Sequence, residues 1–475
     1  MTNPEPDAEV SLPRVKRDLA YIGIILVVFM TNIDGSIVNV ALPQLSRSLQ
    51  ADPQSTVWVT TTYLLAVGCA VPATAALGDQ LGRRHLFLMG VPVFTLASLG
   101  CALSTTLPML VAFRAIQGLG SAALFAVIIP IMRMMFPAAR MGVIFGINAM
   151  ATALGVAIGP TLGGIILARL AWPWLFLINV PLGAIAFLLA LYAVPKHQGR
   201  RGDYDGIGAL TIGVAIALFV VGVHLIVDIR TLWIAALLVA VAVGFVVAFL
   251  RAERRVPRPV LPLPMWNGVF SLAVLTAFWS FFGQGVAFVA LPFLFQSAYG
   301  VSPLQSALLF TPWPAVIVLA APLSGRLADR FRPAVLAIAG LAVYLVGLIL
   351  LATLGDHPAQ WWVLVCTAIC GLGFAFFQSP NNREMQGAVP MSMASSGAAV
   401  LNLNRSVAQS AGSGMVSIAL VLFGATAGST LQEARAATSV LWVAVAGAAF
   451  SLVFSALKLR SVLSAERSSD HAVQQ

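Results

Sequence analysis

Charge is what this chain has least of. Of its 475 residues only 9% are Asp, Glu, Lys or Arg, against about 25% in a soluble globular domain. Apolar residues make up 59%, against about 45–50% in such a domain. Both departures point the same way. They exclude a water-soluble enzyme, a disordered scaffold and a nucleic-acid binder, and leave a helical protein that crosses a membrane many times. Cysteine is scarce as well. Cys69, Cys101, Cys366 and Cys370 all lie in apolar runs, and read as small buried hydrophobes, not as a metal or redox pair. No Walker sequence, HExxH, GxSxG, Cys/His metal spacing or TVGYG-like filter is present. No ATPase domain, metal, cofactor or channel is therefore expected. The polar, acidic first residues and the absence of a small-residue cleavage site argue that the first apolar run is retained and not cleaved as a signal peptide.

Apolar segments fall at roughly 19–43, 57–77, 86–103, 107–129, 141–167, 173–194 and 206–227, and then at 231–250, 268–296, 304–323, 334–354, 360–380, 394–424 and 437–457. That makes fourteen spans with short loops. With the N-terminus in the cytoplasm, 21 of the 27 Lys and Arg residues fall on the inner side and four on the outer. Two lie inside spans, Arg114 and Arg405. The bias places both termini in the cytoplasm and accounts for the net charge of +10 without an acidic partner. The loop after the second span, Ala75 to Arg84, reads AALGDQLGRR. The loop after the tenth, Gly325 to Pro333, reads GRLADRFRP. Such a repeat predicts two six-helix halves, 19–195 and 259–458, separated by a linker and two additional helices over 196–258. Residues 1–18 and 459–475 form cytoplasmic tails in this scheme.

Further motifs stand in a fixed order. Asp34 to Pro43 reads DGSIVNVALP in the first span, and Arg114 to Gly120 reads RAIQGLG in the fourth. Gly155 to Gly164 reads GVAIGPTLGG in the fifth, and Trp172 to Pro181 reads WPWLFLINVP at the entry to the sixth. Together with the AALGDQLGRR loop, the set resembles the fourteen-helix drug:proton antiporters of the major facilitator superfamily, over nearly the whole chain. The resemblance implies an all-α membrane protein of major facilitator fold, with two six-helix halves and two extra central helices. It also implies that Gly155, Gly159, Pro160, Gly163 and Gly164 mark an exporter, and that Asp79, Gly82, Arg83, Arg84 and the second-copy Asp329 form a cytoplasmic gating latch. Three positions depart from the pattern. Ala75 replaces the usual first glycine, Gln80 a basic residue, and Arg332 a glycine of the second copy.

A charge at the centre of a bilayer is expensive and usually faces a cavity. Asp34 is the one acid deep in a span, and Arg114 lies at similar depth, about 22 Å from the inner surface at 1.5 Å per helical residue. The two are expected to meet or sense each other across the cavity of the first half. Burial favours a protonated carboxyl and a nearby guanidinium opposes it, so Asp34 reads as the proton-coupling acid with Arg114 as its partner. A permanent structural ion pair is the alternative. Small residues four apart in the fifth span let helices approach closely, and Pro160 can bend the chain. Ordinary packing or a purely topological loop are the plainer readings of the glycine and loop motifs.

The substrate face is drawn from Trp58, Tyr63, Phe145, Asn148, Trp279, Phe282, Gln284, Phe288, Phe374, Phe377 and Gln378. Any one of these could instead pack against lipid or core. Arg405 has no acid in its own stretch and reads as a packing or gate residue at this cavity. His224, the one histidine in a span, reads as packed. The tenth span holds no acid, which favours monocationic or neutral lipophilic substrates over dications. The expected function is proton-coupled export of such compounds by alternating access. The expected setting is the inner membrane of a bacterium, as a monomer, driven by the proton gradient without a cofactor. Dedicated export of one metabolite, lipid or siderophore is the alternative. An intramembrane enzyme would need paired catalytic groups, and one deep acid does not supply them.

Overall fold

The structure, a computed structural model, describes residues 13–137, 140–195, 206–225, 232–253, 265–328, 330–355, 358–390, 393–426 and 428–473. Lipid offers no partner to backbone N–H and C=O groups, so each long apolar run satisfies its own as a helix. Among the described residues there are fourteen long helices and no strand. The first six are α1 (Arg14–Ser48), α2 (Trp58–Leu81), α3 (Arg83–Ala102), α4 (Leu107–Met135), α5 (Met141–Arg169) and α6 (Asn179–Ala193). Then come α7 (Gly206–Leu225) and α8 (Leu232–Glu253). The last six are α9 (Gly268–Phe293), α10 (Pro312–Leu327), α11 (Pro333–Ala352), α12 (Gln360–Gly387), α13 (Ala394–Leu422) and α14 (Thr430–Val473).

Local chemistry sets several of the breaks. Gly82 separates α2 from α3 at φ +94°, a conformation that a residue with a Cβ rarely adopts. The Asn267 side chain accepts from the Phe270 N–H and starts α9. Ser302 and Gln305 form a capping box that opens the short helix Pro303–Phe310 ahead of α10.

Among the described residues, thirteen helices are long and apolar enough to span a bilayer. The remaining one, α13, carries Asn402, Asn404, Arg405, Gln409, Ser410 and Ser413. Its polarity is spent inside the bundle. Asn404 donates to Val274 O at 3.1 Å, Gln409 donates to Gln284 Oε1 at 2.9 Å, and Ser413 meets Thr61 at 2.8 Å. Several helices run past the sequence-predicted spans, α12 and α14 furthest. The α12 helix continues through Asn381 and Glu384, and α14 continues to Val473, so the expected C-terminal tail prolongs a helix over its described part.

Within the first half, α5 and α6 pack on α1, and α4 packs on α2 and α3. Within the second, α14 and α13 pack on α9, and α12 packs on α10 and α11. The additional pair α7–α8 packs on itself, and α7 touches both α2 and α13. That contact is close: a Cβ at Gly213 would collide with the Cys69 carbonyl oxygen. One apolar cluster joins the halves, running from Ile37 and Leu42 to Phe293 and Val416. Five described side-chain hydrogen bonds also cross between halves. Gln296 donates to Val40 O at 2.9 Å, Ser417 to Gln54 O at 2.8 Å and Ser410 to Thr61 O at 3.3 Å. Thr61 pairs with Ser413, and Thr161 with Thr311 at 2.6 Å. All five lie toward the end of the bundle opposite the Gly82 turn.

Candidate functional site

Asp34 and Arg114 are in direct contact. Arg114 Nη1 lies 2.6 Å from Asp34 Oδ2, and both side chains are wholly buried. Of the two expected arrangements, meeting or sensing each other across the cavity of the first half, the structure has them meet, and neither lines the cavity. On α1 the cavity face is formed by Asn32, Gly35, Ser36 and Asn39, spaced by three, one and three residues along one helical stripe. Asp34 lies off that stripe and turns toward α4.

A buried polar network surrounds the pair. Gln117 Nε2 and Asn179 Nδ2 donate to Asp34 Oδ1 at 2.9 and 2.8 Å. Gln117 Nε2 also reaches Ser98 Oγ at 2.6 Å. Arg114 donates from Nη1 to Gln117 Oε1 at 2.7 Å and from Nε to Val59 O at 3.0 Å. The carboxylate therefore accepts three side-chain bonds from three residues of two other helices. Its partners are buried too, which strengthens each bond and makes any unmatched charge costly. Gln117 and Asn179 were legible only as letters of RAIQGLG and WPWLFLINVP. Sequence spacing does not reveal that both converge on Asp34.

Tyr63 closes the network toward the middle of the molecule. Its ring lies 4.1 Å from the Arg114 guanidinium carbon, within cation–π range. Its hydroxyl pairs with Ser121 Oγ at 2.9 Å and donates to Thr31 O at 3.3 Å. Tyr63 also lines the central cavity.

That cavity is about 440 Å³ and lies between the halves, in the range of sites that hold drug-sized molecules. Of the sequence candidates, Tyr63, Gln284, Phe288, Phe374, Gln378 and Arg405 line it. Trp58, Phe145, Asn148, Trp279, Phe282 and Phe377 do not. Trp279 and Phe282 meet edge to face at 5.4 Å, and Trp279 reaches Phe450 at 5.0 Å. Phe377 packs edge-on to Phe374 at 5.7 Å, and Phe145 lies near Arg133. The sequence reading missed the cavity's amide ring of Asn32, Asn39, Asn382 and Gln409. No described lining residue is a carboxylate, so the expectation of monocationic substrates finds no counter-charge here. Arg405 is the one ionised group among them.

The glycine motif works on two surfaces. A Cβ at Gly155 would lie 2.8 Å from Asn32 Cβ, and one at Gly163 would lie 2.9 Å from Ile37 Cγ1. One at Gly159 would overlap Ser36 Oγ. These three glycines seat α5 against α1, and Pro160 leaves α5 continuous. Gly164 faces the other half, where a Cβ would meet Ala307 Cβ at 2.6 Å. In the loop motif, Arg84 Nη2 donates to Leu191 O at 2.7 Å, holding the last turn of α6. Arg83 begins α3. Asp79 is on α2, but its side chain and that of His224 lie outside what the structure describes, as does Asp329.

Glu384 and Glu433 also escaped the sequence reading as partnered acids. Lys458, fully buried, pairs with Glu384 Oε2 at 2.6 Å and donates to Asn381 Oδ1 at 2.8 Å. Glu433, in the first turn of α14, accepts from Ser297 and is also buried. Both sit at the ends of apolar runs, where hydropathy alone reads as loop.

The sequence pattern of the Major Facilitator Superfamily matches residues 24–206 and 200–413. The chain is 37% identical over 446 residues to the uncharacterised transporter YebQ of Escherichia coli, covering 92% of this chain and 96% of YebQ. It is 32% identical over 392 residues to the drug efflux pump JefA of Mycobacterium tuberculosis, covering 80% and 76%. It is 30% identical over 367 residues to the riboflavin transporter RibZ of Clostridioides difficile, covering 76% and 79%.

Proposed function

This chain belongs to the major facilitator superfamily of multi-pass membrane transporters, and from that premise we propose that it is a proton-coupled antiporter exporting lipophilic compounds. The observation that carries the reading is the Asp34 network, wholly buried and one Tyr63 ring away from the cavity. A proton on Asp34 removes the countercharge of Arg114. An uncompensated buried guanidinium is strongly unfavourable, so protonation drives it toward other acceptors or toward the cavity. Tyr63 lies on its face and moves with it. Proton occupancy is thereby coupled to the shape of the cavity wall, and occupied cavity and protonated acid exclude each other. The two halves rock about the cavity to give alternating access.

The charge bias favours a cytoplasmic Gly82 end with both termini inside, and on this reading the protein sits in the inner membrane of a bacterium. The hydrogen bonds between halves then seal the outer end, and the cavity loads from the cytoplasm. A monomer suffices, and the proton gradient is its energy source. Similarity to JefA, a named drug efflux pump, supports export of varied compounds. The test is purified protein in liposomes with a pH dye inside. An imposed gradient should drive uptake or release of a lipophilic dye, and the dye should in turn move protons.

A second reading is export of one native metabolite. The amide ring of Asn32, Asn39, Asn382 and Gln409 favours it, since such groups suit a substrate with fixed hydrogen bonds. So does similarity to RibZ, named a riboflavin transporter. Competition among unrelated dyes supports the first reading, and saturation by a single compound supports the second.

A further inference from the structure

The cavity wall is charged on one side only. Arg405 projects from α13 into the space between the halves, and among the described residues it makes no hydrogen bond or ion pair. Tyr63 faces the same space from α2, near enough for the two to interact electrostatically. Asp34, across the Arg114–Tyr63 contact, is matched by Arg114 at 2.6 Å. The field of that pair largely cancels at the cavity, whereas the charge of Arg405 does not.

Burying an unmatched cation in a membrane protein is costly. It is tolerated where a ligand or water serves as the counter-group. Arginine also carries a planar fork whose parallel N–H groups fit a carboxylate, sulfonate or phosphate with two bonds at once. Around it stand neutral hydrogen-bonding groups, Gln284 and Gln409, held together at 2.9 Å. The remaining walls offer flat apolar faces from Phe281, Phe288 and Phe374.

Taking the cavity as the transport site, and so resting on the reading above, we infer that it binds amphipathic organic anions, with Arg405 as the counter-charge for an acidic group carried on an aromatic body. Lipophilic cations are disfavoured by the same charge.

Equilibrium binding tests this without any gradient. The probes are two dyes sharing a xanthene ring system: fluorescein, an anion, and a rhodamine ethyl ester, a cation. Purified full-length protein in neutral detergent is titrated, and displaceable fluorescence anisotropy is read. Wild type should bind fluorescein about tenfold more tightly than the rhodamine, the weight of one charge-assisted hydrogen bond. Arg405→Gln should erase that ratio, and Arg405→Lys, which keeps the charge but not the fork, should fall between. A wild-type preference for the rhodamine, equal affinities, or no displaceable fluorescein binding overturns the inference. So does an unchanged ratio in Arg405→Gln. Should that variant fail to fold, the wild-type ratio and Arg405→Lys decide. Anion-selective binding without gradient-driven transport would sink the antiporter reading and leave this inference standing. Coupled transport with cation-selective binding would do the reverse.

Discussion

The Tyr63 ring covers the Arg114 guanidinium at 4.1 Å, and Tyr63 also lines the central cavity. One side chain thus touches both a buried ion pair and the space where a substrate fits. Without it, the acid and the cavity would be separate features of the first half. With it, a change in the charge of Asp34 reaches the cavity through one contact, and a molecule against Tyr63 presses on the ion pair in return.

Replacing Asp34 by Asn should abolish gradient-driven transport while leaving dye binding measurable in detergent. The amide keeps the volume but cannot take a proton or balance Arg114. Removing one partner of a buried pair costs roughly 3–5 kcal/mol, so a marked drop in melting temperature is expected. The double variant Asp34→Asn with Arg114→Gln should recover much of that stability and none of the transport. Proteoliposome assays and thermal unfolding check the two halves of this statement. Coupled transport retained in Asp34→Asn would falsify the role given to Asp34.

Tyr63 separates two effects that a single substitution would merge. Tyr63→Phe keeps the ring over Arg114 and loses the hydroxyl bonds to Ser121 and Thr31 O, at a cost of about 1 kcal/mol. Transport should persist at a reduced rate. Tyr63→Ala removes the wall between Arg114 and the cavity. It should let protons pass without substrate, read as collapse of an imposed pH gradient in dye-free liposomes. Tight gradients in that variant would argue against Tyr63 as the barrier.

The helices were legible because lipid forces every long apolar run into the same answer. The α13 helix was legible too, although its polar groups leave it without the long apolar stretch that the other thirteen have. The Asp34–Arg114 contact was readable from depth alone, since each lies a similar distance along its helix. Its isolation from the cavity was not, because that depends on helix rotation: Asp34 is one residue from Gly35 and faces another way. Aromatic candidates fared unevenly for the same reason. Phe374 and Phe377 are neighbours on one helix, and only Phe374 reaches the cavity. Arg405 gave a signal of a different kind, a charge with no partner nearby in sequence, and the structure brings it none among the described residues.

Lys458 should prove a structural residue of the second half. It is fully buried, pairs with Glu384 at 2.6 Å and binds Asn381. Lys458→Met strands the Glu384 carboxylate, and stability should fall by about 3 kcal/mol or more. Changing both residues, Lys458→Met with Glu384→Gln, should restore most of the melting temperature. Dye binding by the folded double variant should match wild type, since neither residue lines the central cavity. A single variant as stable as wild type would show that the pair carries no net weight.

The contact between Thr161 and Thr311 offers a lock on the motion itself. Their hydroxyl oxygens are 2.6 Å apart, across the two halves, on the end away from the Gly82 turn. Side chains that close bring their Cβ atoms into reach of a disulfide. The variant Thr161→Cys with Thr311→Cys should therefore crosslink under mild oxidant. The four native cysteines are replaced first, so that no other thiol competes. Oxidised protein should bind dye from the open side yet transport none, because halves joined at this end cannot rock apart. Reduction should return transport to the level of the uncrosslinked variant. Full transport by protein shown to be completely crosslinked would mean that this end does not open during the cycle, and alternating access about the cavity would have to be abandoned.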